Sequence, residues 1–314
     1  RNGYVGLEWF AECEQGWANR DADRLLELLP SPEAVTLRVR FIDQPVRLDE
    51  PRTLTFGLIA WPVKPWPERR VHMSNYPGSP PGRSRDDEDY DRWADGIPLA
   101  KEHHMNVMEY FHWNGLDRIP DFPIFYSEEI KERVTRVARI ATEHGIPIIG
   151  HTGFALPTDI PDFETYGMEM VQRPLVSKGR YGYAFTFTPA YIDAYVGHYK
   201  KVAEETGWSG LQSDGGLWPR YSENVRCGFG WRDEEGKLRK RYTIFAAREL
   251  SRRVYNVFHG EVDFPGLPNG FGHITFHCFA PMGAVHGFVD SLHGGEDRRT
   301  WGSFENLRRP YRRA

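Results

Sequence analysis

Hydrophobic and polar positions change rhythm once along the chain. In the first sixty residues they alternate over short runs. Val35-Thr-Leu-Arg-Val-Arg-Phe-Ile42 has the period of a half-buried strand, and Leu54-Thr-Phe-Gly-Leu-Ile-Ala60 is a second run. Asp43-Gln-Pro45 and Asp49-Glu-Pro51 between them are turn chemistry. This meander predicts the end of a β-sandwich and a junction strand over 1–61. From 62 to 92 the pattern breaks. Pro62, Pro65, Pro67, Pro77, Pro80 and Pro81 stop regular structure, and Asp86-Asp-Glu-Asp89 follows. A long solvated loop is the expectation there.

From residue 93 strands and helices alternate. A short helix over 94–103 leads to a strand at 106–112. Ser127-Glu-Glu opens a helix over 127–143 as an N-cap followed by acids, and His144-Gly145 closes it. A strand at 146–149 follows. The next helix, 189–206, has Pro189 in its first turn and Gly207 after its end. A strand at 209–213, a helix over 243–258, a strand at 271–277 and an apolar run at 285–292 complete the series. Such alternation predicts βαβ units and a parallel sheet. The fold class is α/β: a (β/α)8 TIM-type barrel over 93–314, incomplete at its C-terminal end and preceded by the sandwich segment. Counting 54–60 as the first, about six strands are present where a closed barrel has eight. An open doubly wound sheet is the alternative. No Gly-x-Gly-x-x-Gly turn follows an early strand, which gives a dinucleotide site little support.

Composition narrows the function. With 40% hydrophobic and 27% charged residues the chain is not a disordered one. A net charge of −4 argues against broad nucleic-acid binding. The arginines at 298, 299, 308, 309, 312 and 313 read as a solvated helix face. No run of 18 uncharged apolar residues exists, so no membrane-spanning helix is expected. Cys13, Cys227 and Cys278 lie far apart and form no metal-knuckle spacing. The chain begins at Arg1 without an apolar leader and reads as a trimmed piece, which leaves a secreted or periplasmic location open. Aromatic residues reach 14%, which fits either a large aromatic core or platforms for stacking sugar rings.

In parallel barrels, chemistry gathers at the C-terminal ends of strands. The polar residues expected there are Glu109, His112 and Trp113, then His151, then Gln212 and Asp214, then His277, and finally Asp290, His293 and Glu296. Asp214 is the sharpest candidate, because it ends an apolar strand and precedes Gly215-Gly216. The bland alternative is an Asp that caps the next turn. A second carboxylate, Glu296 or Glu109, would supply the pair that glycoside hydrolysis requires. His112, His151 and His277 could converge on a metal, or donate hydrogen bonds to sugar hydroxyls, or be satisfied core histidines. No metal-ligand spacing supports the first, and no metal or other cofactor is expected. No nucleophile elbow and no phosphate loop is present.

The opening Gly6-Leu-Glu-Trp-Phe-Ala-Glu12, Gly16-Trp17, Leu54 to Pro65, Gly210-Leu-Gln-Ser-Asp214-Gly, the loop from Asn224 to Gly236, Ala247-Arg248-Glu249, Phe288-Val-Asp290 and Gly295-Glu296 occur in an order that resembles glycoside hydrolase family 123-like proteins. The resemblance runs through nearly the whole chain. It implies a sandwich, a (β/α)8 barrel and exo-acting glycoside hydrolysis of a carbohydrate substrate. It also implies an adjacent Asp-Glu pair, in which the Asp positions a substrate acetamido group and the Glu is the acid. Here Asp214 is followed by Gly215 instead of Glu. The expected roles are therefore Asp214 as stabilising or orienting carboxylate, with Glu296 or Glu109 as acid. Trp113, Trp218 and Trp231 are the expected sugar platforms, and His112, His151, His277 and Asp290 the expected substrate-binding groups. A metal-dependent barrel hydrolase and a carbohydrate-binding protein without catalysis are the competing readings.

Overall fold

The computed structural model describes residues 6–19, 21–64, 73–75, 87–110, 122–125, 127–153, 155–179, 182–214, 217, 219–267, 270–277, 285 and 287–293. Strand β1 (Gly6–Ala11) comes first, then β2 (Leu26–Pro30), β3 (Val35–Val39) and β4 (Phe56–Trp61). β1 pairs antiparallel with β4, and β2 with β3. Trp9, Trp17, Phe41 and Phe56 pack as one aromatic group, with centroids 5.1–6.3 Å apart. Two expectations change here. Leu54–Ala60 is not a wall strand of the parallel sheet, because its partner is β1. The described part of the N-terminal region forms two separate two-stranded sheets.

The stretch expected to be loop holds β5 (Met73–Asn75) and the start of helix α1 (Asp87–Glu102). Asp87 to Asp89, which read as part of a solvated run, thus fall within the helix. The series continues with β6 (Val107–Tyr110), α2 (Glu128–Glu143), β7 (Ile148–Thr152), α3 (Pro161–Met170), α4 (Pro189–Thr206) and β8 (Gly210–Ser213). A three-stranded antiparallel excursion follows: β9 (Tyr221–Ser222), β10 (Gly230–Arg232) and β11 (Leu238–Tyr242). Helix α5 (Ile244–Asn256) returns the chain to β12 (His273–His277) and β13 (Ser291–His293).

Six strands form one parallel sheet in the order β5-β6-β7-β8-β12-β13. Each crossover adds its strand on the same side, so the order never reverses. A doubly wound sheet reverses at a switch point. The helices agree, since α1 packs on α2, α2 on α4 and α4 on α5. This is the winding of a barrel wall. Among the described residues the wall is open, and no pairing joins β5 to β13.

Strand periodicity sorts the two faces of the sheet. Met108, Ile148, Leu211, Ile274 and Phe276 lie in the apolar core beneath the helices. Helix α4 supplies much of that core. Its Tyr191, Tyr195 and Tyr199 recur every four residues, are fully buried, and stack with Phe185, Phe187 and Phe258. Part of the high aromatic content is thus core.

Candidate active site

The alternate positions of the same strands carry buried polar side chains beside Val107 and Ile149. Glu109 on β6, His151 on β7, Gln212 on β8, and His273 and Thr275 on β12 are all buried. Gly210 shows how close the strands run on this face. A Cβ there would sit 1.9 Å from the His273 carbonyl oxygen and 2.8 Å from Ile149 Cγ2, so only glycine fits.

At the C-terminal ends of β6, β7 and β8 three charged side chains form a line. His151 Nδ1 lies 2.7 Å from Glu109 Oε1. On its other side, His151 Nε2 is 3.6 Å from Asp214 Oδ2, an ion-pair distance. The side chains of Glu109 and His151 are 0% and 3% exposed, whereas that of Asp214 is 33% exposed. Backbone pairing places Asp214 there. Its N–H donates to the Thr152 carbonyl at 2.9 Å, one residue beyond the end of β8. Leu217 N–H donates to Ser213 Oγ at 3.0 Å.

Burial opposes charge on His151. Hydrogen bonding and attraction from Asp214 and Glu109 outweigh it and push its pKa up to about 9. The proton is thus favoured on a ring that has a carboxylate facing each nitrogen. No cluster of metal-binding residues is found among the described residues.

Of the remaining candidates, His277 ends β12 one residue beyond the Phe276–Ser213 pair, so its backbone is level with Asp214. It is in register with His293. Trp231 is half-buried on β10, opposite Arg239. Asp290 was expected near the end of a strand over 285–292, but the strand begins at Ser291. Asp290 therefore directly precedes β13 and pairs with β12, its N–H donating to the Ile274 carbonyl at 2.8 Å. His112, Trp113, Trp218 and Glu296 lie outside the described residues.

Around Asp290 is a second polar cluster that the sequence reading missed. His259 Nε2 is 2.8 Å from Asp290 Oδ2, and Ile274 N–H donates to the same oxygen at 2.8 Å. Lys64 Nζ lies 3.6 Å from Asp290 Oδ1 and 5.4 Å from the centre of the Tyr255 ring, which stacks on His259. His273 Nε2 is 2.9 Å from Ser291 Oγ. Burial leads the fall of the His273 pKa to about 4, which Asp290 opposes and His259 and Lys64 reinforce. The Asp290 pKa lies below the usual carboxylate value: burial pushes it up, but hydrogen bonds from His259 and Ile274 and nearby positive charge outweigh that. The alternation in His273-Ile-Thr-Phe-His277 was the available signal, because it set His273 and Thr275 on the polar face.

No protein-family model matches the chain, and no curated protein does. Solved structures match it in fold at low identity. An alpha-amylase from Geobacillus thermoleovorans shares 9% identity at a TM-score of 0.41, covering 68% of this chain and 46% of that one. Alpha-N-acetylgalactosaminidase NagBb from Bifidobacterium bifidum shares 10% at 0.45, covering 74% and 37%. The carboxyl transferase domain of Rhizobium etli pyruvate carboxylase shares 12% at 0.27, covering 65% and 23%. The chain spans less than half the length of each.

Proposed function

We propose that the chain carries the catalytic site of a glycoside hydrolase, which cleaves a glycosidic bond of an oligo- or polysaccharide at the C-terminal ends of the parallel strands. The observation that carries this reading is Asp214. It is a carboxylate one-third exposed at a strand end, with the charge of His151 behind it. A fixed anion in that position suits the positive charge that develops at an anomeric carbon as the leaving group departs. Asp214 then stabilises or orients the reacting sugar. Protonation of the leaving oxygen falls to a second carboxyl group, and Glu296 is the proposed acid. Glu109 is less suited to that task, because its side chain is buried behind His151.

The resemblance to family 123-like proteins extends the proposal to exo-action. The Asp214-Gly215 sequence separates this chain from the adjacent Asp-Glu arrangement. The test is hydrolysis of a panel of chromogenic glycosides, with and without a 2-acetamido group, in the presence and absence of a chelator. Chelator-insensitive cleavage is expected. Activity that a chelator abolishes and zinc or manganese restores would replace this reading with the metal-dependent one. Glycan binding without turnover would replace it with the binding protein.

A further inference from the structure

Asp214 is the exposed end of a line of three ionisable groups, and the other two are buried. Burying charged side chains is costly, and apolar residues of similar volume fill a sheet interior at lower cost. The arrangement of Glu109 and His151 therefore asks for a role beyond packing. With a carboxylate facing each ring nitrogen, the imidazole links Glu109 to Asp214. Orientation and charge are what that placement supplies.

We propose that Glu109 and His151 are a positioning pair for Asp214: Glu109 fixes the imidazole ring and its charge, and the ring holds Asp214 ionised and aimed across the strand ends. The inference rests on the reading of Asp214 as the reacting carboxylate and names the two residues that prepare it. Among the described residues, two charged groups are recorded against the ring. Glu109 comes from β6 and Asp214 from the end of β8. Gln212, in register with His151 on β8, is neutral. Tyr199 of α4 lies on the other face of the sheet, against Thr152. As pH rises through about 9 the ring loses its proton, and the pair no longer holds Asp214.

The test uses the full chain with 15N-labelled histidine. Both ring nitrogens of His151 should remain protonated to about pH 8, and the ring should titrate near 9. Glu109→Gln and Asp214→Asn should each lower that midpoint by about one pH unit or more. On a cleaved glycoside, Glu109→Gln should move the basic limb of the rate profile to lower pH. It should also cut kcat about 10- to 100-fold with little change in KM. A His151 midpoint near 6.5, or one unmoved by either substitution, would overturn the proposal. So would a shifted midpoint with kcat and the basic limb unchanged, since that marks a purely structural pair. Should Glu109→Gln fail to fold, Asp214→Asn tests the linkage from the exposed end. Loss of the glycosidase reading would show as no turnover alongside a ring that still titrates near 9 and still responds to both variants. In that event the charge linkage stands and the catalytic role falls.

Discussion

His273 is expected to contribute to the acid side of the stability profile. It is 6% exposed, and its pKa is lowered from 6.5 to about 4, with burial the leading cause. In the unfolded chain the ring takes up a proton as pH falls through 6.5, while the folded chain resists until about 4. Stability is therefore fully present above 6.5 and is lost as pH falls towards 4. The size follows from about 1.4 kcal/mol per pH unit, which gives about 3 kcal/mol across that window. His273→Gln removes the titration while leaving an amide within reach of Ser291 Oγ, now 2.9 Å from Nε2. Urea unfolding followed by tryptophan fluorescence at steps from pH 7 to 4 measures the difference. The variant should lose about 3 kcal/mol less than the parent over that range, after a cost of about 1 kcal/mol at pH 7. Equal acid slopes in the two proteins would refute the reasoning. Asp290 acts in a separate window. Its lowered pKa means that its contribution is present above 3.8 and is lost only as pH falls further, so it does not mimic the His273 effect.

Other expected outcomes follow from the same structure. His151 works in the opposite sense: its raised pKa makes its contribution complete below 6.5 and lost as pH rises through about 9, so unfolding free energy should fall by about 3 kcal/mol over that range, and less in Asp214→Asn. Gly210→Ala should cost about 3 kcal/mol or more in urea unfolding or prevent folding, because its Cβ collides with the backbone of β12. Phe187→Ala should cost about 3–5 kcal/mol by the same assay, since the ring is fully buried among Phe185 and Tyr191.

Features legible in the sequence were those with a local cause. Ser127 caps α2 by accepting from Ile130 N–H, and α4 begins at Pro189 and ends at Gly207 in the left-handed region, as the residue types indicate. The strands at 106–112, 146–149, 209–213 and 271–277 appear with shifted ends. Asp233-Glu-Glu-Gly236, charged and closed by a glycine, joins β10 to β11. What failed depended on partners distant in sequence. Leu54–Ala60 has the apolar run of a buried strand, and only its pairing with β1 removes it from the parallel sheet. Proline density hid the short β5 and the start of α1. At the site, strand-end logic singled out Glu109, His151 and Asp214 separately. Their union through His151 needs the β6-β7-β8 order, which no local pattern encodes. The apolar run at 285–292 reads as one strand, but β13 begins only at Ser291, so Asp290 precedes it.

The most direct measurement compares the parent and Asp214→Asn on the same glycoside panel, with circular dichroism confirming that the fold is retained. The account predicts that kcat falls about 100-fold or more in the variant. Turnover within about twofold of the parent would contradict the placement of the reaction at Asp214.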